Sequence, residues 1–233
     1  KNTIREMLSE ERPYDKCERF GAGSLTDIEL LAVLLRTGTK GESALDLARK
    51  LFYPGEGTQP QAKAHLQSWT KEELLKISGI GRVKAIQILC LCEFSKRMSQ
   101  LSAREDLDFS RPDTIAAYYM EDMRYYRQEH LKLLMLNTRS RLIGESEISR
   151  GTVNMSVISP RELFIEALQK NAVYIILLHN HPSGDPMPSR EDILVTQRIR
   201  EGGSLLGIEL LDHIIIGDNC YVSLAEQKLL KEK

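Results

Sequence analysis

The chain has 233 residues, of which 42% are hydrophobic and 28% are charged, and its formal net charge is −1. This composition is that of a globular protein with an ordinary core, and no apolar run approaches the roughly 20 residues that span a bilayer. We therefore expect neither a membrane segment nor a secretory leader. The four cysteines form no CxxC pair, so the reducing cytoplasm is the expected compartment.

The first part of the chain is predicted to be helical, and residues 70–95 contain a pattern that favours a helix-hairpin-helix. Two glycines allow a tight turn between the helices, and the N–H groups that begin the second helix can hold a DNA phosphate. Such contacts predict weak, salt-dependent binding to many DNA sequences. The alternative is a hairpin that merely packs helices or binds protein. The candidate DNA contacts are Gly79, Gly81, Arg82 and Lys84.

Helical periodicity is lost over residues 101–110, which we interpret as a linker. It separates a helical domain at 1–100 from a second domain at 111–233, in which strands alternate with helices. That alternation indicates an α/β or α+β sheet domain. Within the first domain, a surface loop is predicted at 53–60, where glycine and proline recur.

The most informative motif follows a predicted buried strand at Val173–Leu178. Residues two apart on a strand face the same side, so His179 and His181 are expected to point together. Prolines and glycine in the loop at 182–188 allow the chain to return Asp192 to the same place. Two imidazoles, one carboxylate and an open fourth position describe a catalytic zinc site.

Other interpretations of this segment stay open from spacing alone. The two histidines could be surface residues or a buried hydrogen-bonded pair. Ser189 and Asp192 also have the spacing of a helix capping box, which is compatible with a ligand role because it would hold the carboxylate rigidly.

The pattern His-x-His, seven residues, Ser, two residues, Asp resembles the JAMM motif of the JAB1/MPN metallopeptidases. The sequence of residues 179–186, together with Leu211–Gly217 downstream, is similar to the bacterial RadC family. That family was historically labelled a DNA repair protein. This resemblance implies an α+β protein. An all-α helix-hairpin-helix domain would precede a JAB1/MPN-type, cytidine-deaminase-like mixed sheet flanked by helices.

The resemblance also implies roles for individual residues. His179, His181 and Asp192 would hold one zinc ion, and the Ser189 hydroxyl would donate to a developing oxyanion. Glu129, at the start of a predicted strand, would be the general base of amide or isopeptide hydrolysis. The rival glutamates for that role are Glu145, Glu147 and Glu166.

Three functional classes remain after this comparison. The first is a zinc hydrolase that acts on an unidentified peptide or protein and binds DNA through residues 70–95, in DNA repair or recombination. The second is a non-catalytic DNA-binding scaffold whose metal site is vestigial or structural. The third is a metal-dependent enzyme that acts on nucleic acid itself. It is the least favoured, because a nuclease usually gathers carboxylates around two metals and this motif holds one carboxylate. A zinc deaminase and a thermolysin-like enzyme are disfavoured because their motifs are absent.

Overall fold

The computed structural model describes residues 12–39, 41–54, 66–105, 107–151 and 159–230. These residues divide into two compact units, with the boundary between Ser95 and Lys96. Most of the predicted loop at 53–60 lies outside the described residues. In the described part of the chain, no helix is long and apolar enough to cross a membrane.

The N-terminal unit is helical, as the sequence predicts. Its helices are α1 (Pro13–Phe20), α2 (Asp27–Leu35), α3 (Ala44–Phe52), α4 (Lys71–Lys76) and α5 (Arg82–Glu105), with 3-10 turns at Ala22–Ser24 and Leu66–Ser68. Helices α2, α3 and α4 each begin with a capping box, in which a hydroxyl and an acidic side chain satisfy backbone N–H groups that the helix leaves unpaired. The capping residues are Thr26, Ser43 and Thr70.

The turn between α4 and α5 contains the two glycines of the predicted hairpin. Gly79 has a φ of +95°, and a Cβ atom there would lie 2.5 Å from Leu47 Cδ2, so the position requires glycine. Ile80 is 3% exposed and lies in the core of this unit. Gly81, by contrast, has no atom within 4 Å of the place where a Cβ would stand.

Helix α5 continues without interruption past the boundary between the two units. Residues 101–105, which we expected in the linker, are therefore helical. The limits of the two domains stay a prediction.

The C-terminal unit is a mixed five-stranded sheet flanked by helices, which confirms the predicted α+β class. Its elements in chain order are α6 (Pro112–Met123), β1 (His130–Leu136), β2 (Leu142–Arg150), α7 (Pro160–Gln169), β3 (Tyr174–Asn180), α8 (Arg190–Leu206), β4 (Glu209–Ile216) and β5 (Tyr221–Ser223). The strand order is β2-β1-β3-β4-β5. Strands β3 and β4 are parallel, and the other neighbours are antiparallel.

Alternation along the central strands gives the sheet two apolar faces. On β3, Ile175 and Leu177 pack in a cluster with residues of α7 and α8. Ile176 and Leu178 pack in a second cluster with residues of α6. This period of two places the side chain of His179 on the face that α7 and α8 cover, at the carboxyl end of β3.

Candidate metal centre

The two histidines of the motif stand at the end of β3, and their rings are neighbours. His179 is the penultimate residue of the strand and is 1% exposed, while His181 follows the strand directly. The ring centroids are 4.8 Å apart and the ring planes are nearly perpendicular. The strand spacing therefore brings the imidazoles together as predicted.

His181 is fixed by two backbone contacts. Its N–H donates to Ile216 O at 2.9 Å, and its ring Nδ1 is 2.8 Å from Asp185 O. A carbonyl only accepts, so Nδ1 carries the hydrogen and Nε2 of the neutral ring is a lone pair. A carbonyl partner of this kind is the usual support of a metal-binding histidine.

Asp192 lies in the first turn of α8 and belongs to the predicted capping box. Its Oδ2 accepts from both N–H and Oγ of Ser189, each at 2.7 Å, while its own N–H donates to Ser189 Oγ at 3.1 Å. The carboxylate is 1% exposed. In this arrangement the Ser189 hydroxyl holds Asp192, and its predicted contact with an oxyanion stays a prediction.

Glu129 immediately precedes β1 and faces the same site. Its Oε2 is 3.8 Å from His179 Nε2, and its side chain is 32% exposed. The three rival glutamates are engaged elsewhere. Tyr119 and Lys132 donate to Glu145, Glu147 contacts His130 Nδ1, and Ser146 donates to Glu166. The geometry therefore favours Glu129 over its rivals.

Nitrogen and oxygen atoms of the four side chains lie close to one another. Among the described residues, ligand atoms of Glu129, His179 and His181 all lie within 4.8 Å of one another. Asp192 is outside that group but approaches both rings, at 3.5 Å from His179 Nδ1 and 3.4 Å from His181 Nε2.

The contacts at this site leave buried ring nitrogens unsatisfied. Both ring nitrogens of His179 are buried without a hydrogen-bond partner in the described part of the chain, which is costly for buried polar atoms. The hydrogen bond with Asp192 raises the pKa of His181, because the carboxylate stabilises a proton on that ring. Burial raises the pKa of Asp192, but its contacts with His181 and Ser189 outweigh burial and hold that pKa well below its usual value. A donor set of two imidazoles and carboxylates suits zinc.

Two residues near the centre were not identified from the sequence as a unit. Thr196, one turn after Asp192 on α8, donates its hydroxyl to Asp192 O at 2.5 Å. Thr196 Oγ1 is also 2.6 Å from His213 Nδ1. Because the hydroxyl hydrogen is already donated to Asp192 O, His213 Nδ1 is the donor in this second contact. The i, i+4 spacing of Asp192 and Thr196 was the available signal.

His213 lies on β4, in the interior of the sheet. Strand β4 lies between β3 and β5, and the ring is fully buried. It stacks on the His179 ring with centroids 5.8 Å apart. His213 Nε2 is a further buried nitrogen without a partner among the described residues.

The residues proposed for DNA contact lie at the start of α5, in the other unit. Gly81 and Arg82 are exposed there. Lys84 instead donates its ammonium to the carbonyls of Thr37 and Gly38, at 2.6 and 3.3 Å. These hydrogen bonds connect two turns of the helical unit, so the ammonium group of Lys84 already has partners within the fold.

A mixed sheet with a histidine and carboxylate group at the end of its central strand defines a domain of the JAB type. A family model described as RadC-like JAB domain matches residues 109–229, and one described as UPF0758 N-terminal matches residues 4–86. The chain belongs to the RadC-like JAB domain family, which confirms the resemblance drawn from the motif.

Relatives extend this similarity over nearly the whole chain. A UPF0758 protein of Bacillus licheniformis is 47% identical over 227 residues, covering 97% of this chain and 99% of the relative. A UPF0758 protein of Clostridium botulinum is 46% identical over 224 residues, covering 96% of each. The chain is therefore similar to these relatives in both of its units.

Proposed function

We propose that this protein is a zinc-dependent hydrolase of amide or isopeptide bonds. The observation that carries the proposal is the buried His179 ring, whose two unpartnered nitrogens face carboxylates at 3.5 and 3.8 Å. A neutral imidazole has one N–H and one lone pair, and a bound cation would satisfy the lone pair. The JAB type of domain is typically hydrolytic, which supports the same conclusion.

Zinc is held by His179, His181 and Asp192 in this proposal, and when bound it supplies Lewis acidity and lowers the pKa of water to near neutrality. Glu129 accepts the proton of the attacking water and later returns it to the leaving amine. Its partial exposure lets water and substrate reach the carboxylate, whereas Asp192 is almost completely buried.

Ser189 has a role that depends on substrate. Its hydroxyl donates to Asp192 in the structure, so an oxyanion contact requires the hydroxyl to rotate away while Ser189 N–H keeps its own bond to the same carboxylate. The backbone bond preserves the position of Asp192 during that exchange.

The experiment that tests this function is zinc analysis of the purified protein beside a His179→Ala, His181→Ala variant. We expect close to one zinc per chain in the native protein and none in the variant, because two of the three ligands are removed. The native protein is then assayed against peptide and isopeptide substrates. A native protein that takes up no zinc at neutral pH contradicts the proposal and favours a non-catalytic scaffold.

We also propose that the helical unit contacts DNA phosphates at the start of α5. Gly81 is open to solvent and Arg82 is exposed beside it, whereas Gly79 is committed to packing. Replacing Arg82 with Ala is expected to weaken binding to unrelated duplexes equally and to reduce the salt dependence by roughly one phosphate contact. The measurement is fluorescence anisotropy over a salt series.

The control for that experiment is Arg139→Ala, which removes another exposed arginine, from the turn between β1 and β2. It is expected to leave DNA affinity unchanged. Equal loss in both variants would reflect net charge alone, and unchanged affinity in Arg82→Ala removes the proposed contact.

A further inference from the structure

The proposed base stands at a place where a chain is ordinarily loose. Glu129 lies one residue before β1 begins, and the last paired residues of β1 and β3 are Leu131 and His179. Strand ends fray when no neighbour satisfies their backbone groups. A base must nevertheless be held within a few tenths of an ångström of its productive position.

The side chain of Asn180 continues the pairing of β1 and β3 past this point. Its Oδ1 accepts from the N–H of His130 at 2.8 Å, and its Nδ2 donates to the carbonyl of Gln128 at 3.1 Å. These two backbone groups lie on either side of Glu129. Asn180 therefore brackets the residue between them.

A third contact completes the bracket from the opposite neighbour. The Glu129 carbonyl accepts from the N–H of Gly151 at 3.0 Å, just beyond the end of β2. The backbone around Glu129 is thus bonded on the β3 side and on the β2 side. The Glu129 side chain therefore extends from a main chain that hydrogen bonds hold on both sides.

Asparagine suits this position because its amide copies a peptide unit, with one acceptor and a donor on the same carbon. Aspartate has no donor for the Gln128 carbonyl, and alanine has neither group. Asn180 is fully buried and its bond with the N–H of His130 is buried as well, so bulk water does not reach the N–H that a substitution leaves unpaired. Its amide is satisfied on both sides, which is the requirement for a buried polar group.

We propose that Asn180 is the positioning residue for Glu129, an inference that rests on the proposed function. The His-x-His segment then does more than supply two imidazoles. The residues at its ends face the metal centre, and the residue between them fixes the base relative to that centre. Three consecutive residues at the end of β3 thus supply two proposed ligands and position the base beside them.

The first test is hydrogen exchange, which is independent of turnover. In Asn180→Ala we expect the amides of His130 and Gly151 to exchange about 10-fold faster or more, in line with the loss of a buried hydrogen bond. Amides in the middle of β1 and β3 should keep their native rates. Zinc content should also stay native, since Asn180 is not a ligand.

Asn137→Ala is the matched control. Asn137 lies just beyond the other end of β1, and its Oδ1 accepts from the N–H groups of Arg139 and Arg141 at 2.9 and 3.1 Å. This variant is expected to speed exchange in that turn and to leave the Glu129 segment native. If Asn180→Ala does not fold, Asn180→Asp keeps the volume and the acceptor, and the Gly151 amide then reports the loosening.

The second test is a kinetic cycle with Glu129→Gln on an isopeptide substrate. Asn180→Ala is expected to lower kcat about 10–100-fold with KM unchanged, as for other residues that orient catalytic groups. In the Glu129→Gln background it should have no further effect, because the group that it positions is gone.

The outcomes separate this inference from the function beneath it. Unchanged exchange at His130 and Gly151, or faster exchange throughout the sheet, overturns the positioning role. A kcat loss that adds fully to that of Glu129→Gln overturns it as well. If the native protein hydrolyses nothing while exchange responds as expected, the proposed function fails and the bracket around Glu129 stands.

Discussion

Replacing Glu129 with Gln is expected to lower kcat on an amide or isopeptide substrate by about 10²–10⁴-fold, the usual contribution of a general base. Glutamine keeps the size of the side chain but cannot accept a proton. The zinc content should stay native, because the proposed ligands His179, His181 and Asp192 are untouched. The measurements are steady-state kinetics and elemental analysis on the same preparation.

A matched control for this prediction is Glu166→Gln. Glu166 lies on α7 and accepts a hydrogen bond from Ser146, so its charge is removed without touching the centre, and activity should stay native. Two results contradict the assignment of Glu129. Turnover retained in Glu129→Gln places the base elsewhere, and zinc lost together with turnover makes Glu129 a ligand, in keeping with its distance from the imidazoles.

The parts of the centre that were predicted correctly are those that depend on local spacing. His179 and His181 share a side because a strand has a period of two. Ser189 and Asp192 form a capping box because four residues at a helix start determine that contact. Each of these contacts depends on a few consecutive residues, so it can be predicted from the sequence alone.

The parts that were missed depend on register between distant segments. Asn180 meets the chain around Glu129 only because β1 and β3 pair antiparallel with Leu131 opposite His179. His213 stacks on His179 only because β4 is an interior strand parallel to β3. Strand order and register follow from the packing of whole elements, so no local sequence pattern predicts them.

Lys84 illustrates the same limit in the helical unit. Its place beside two glycines predicted a free charge for DNA. In the structure its ammonium meets the carbonyls of Thr37 and Gly38, more than forty residues away. A lysine ammonium group donates to backbone carbonyls that the fold brings near it. The sequence does not show which carbonyls are close.

The native protein is expected to lose stability as pH falls from about 6.5 to about 3, with His213 as a main cause. Burial and, to a smaller extent, the neighbouring His179 lower the pKa of His213 to about 3, while Asp192 opposes the shift. In the unfolded chain the imidazole titrates near 6.5. Within that window the unfolded state binds the extra proton, so acid favours unfolding.

The size of this effect follows from the width of the window. Each pKa unit corresponds to about 1.4 kcal/mol, so roughly 3.5 units give a contribution on the order of 5 kcal/mol that is present above pH 6.5 and lost toward pH 3. The complete burial of the ring means that solvent does not screen this cost. His181 contributes with the opposite sign, since its pKa is raised by Asp192 and its share is present at low pH and lost as pH rises.

His213→Asn isolates the contribution of this one ring. The asparagine amide can donate to Thr196 Oγ1 as His213 Nδ1 does, but it does not take up a proton. Urea unfolding between pH 7 and pH 3.5, with a chelator present so that metal release does not contribute, should give a shallower fall of the unfolding free energy in the variant. The variant is expected to be less stable at pH 7, because the smaller side chain leaves space beside the His179 ring.

The comparison rests on slopes rather than on absolute stabilities. Carboxylates such as Asp212, whose pKa is raised by burial, titrate in both proteins and cancel in the difference. Parallel curves for the native protein and His213→Asn would mean that His213 is charged or hydrated in the folded state. The donor role of His213 Nδ1 toward Thr196 would survive that result, since both nitrogens of a charged imidazole carry hydrogen.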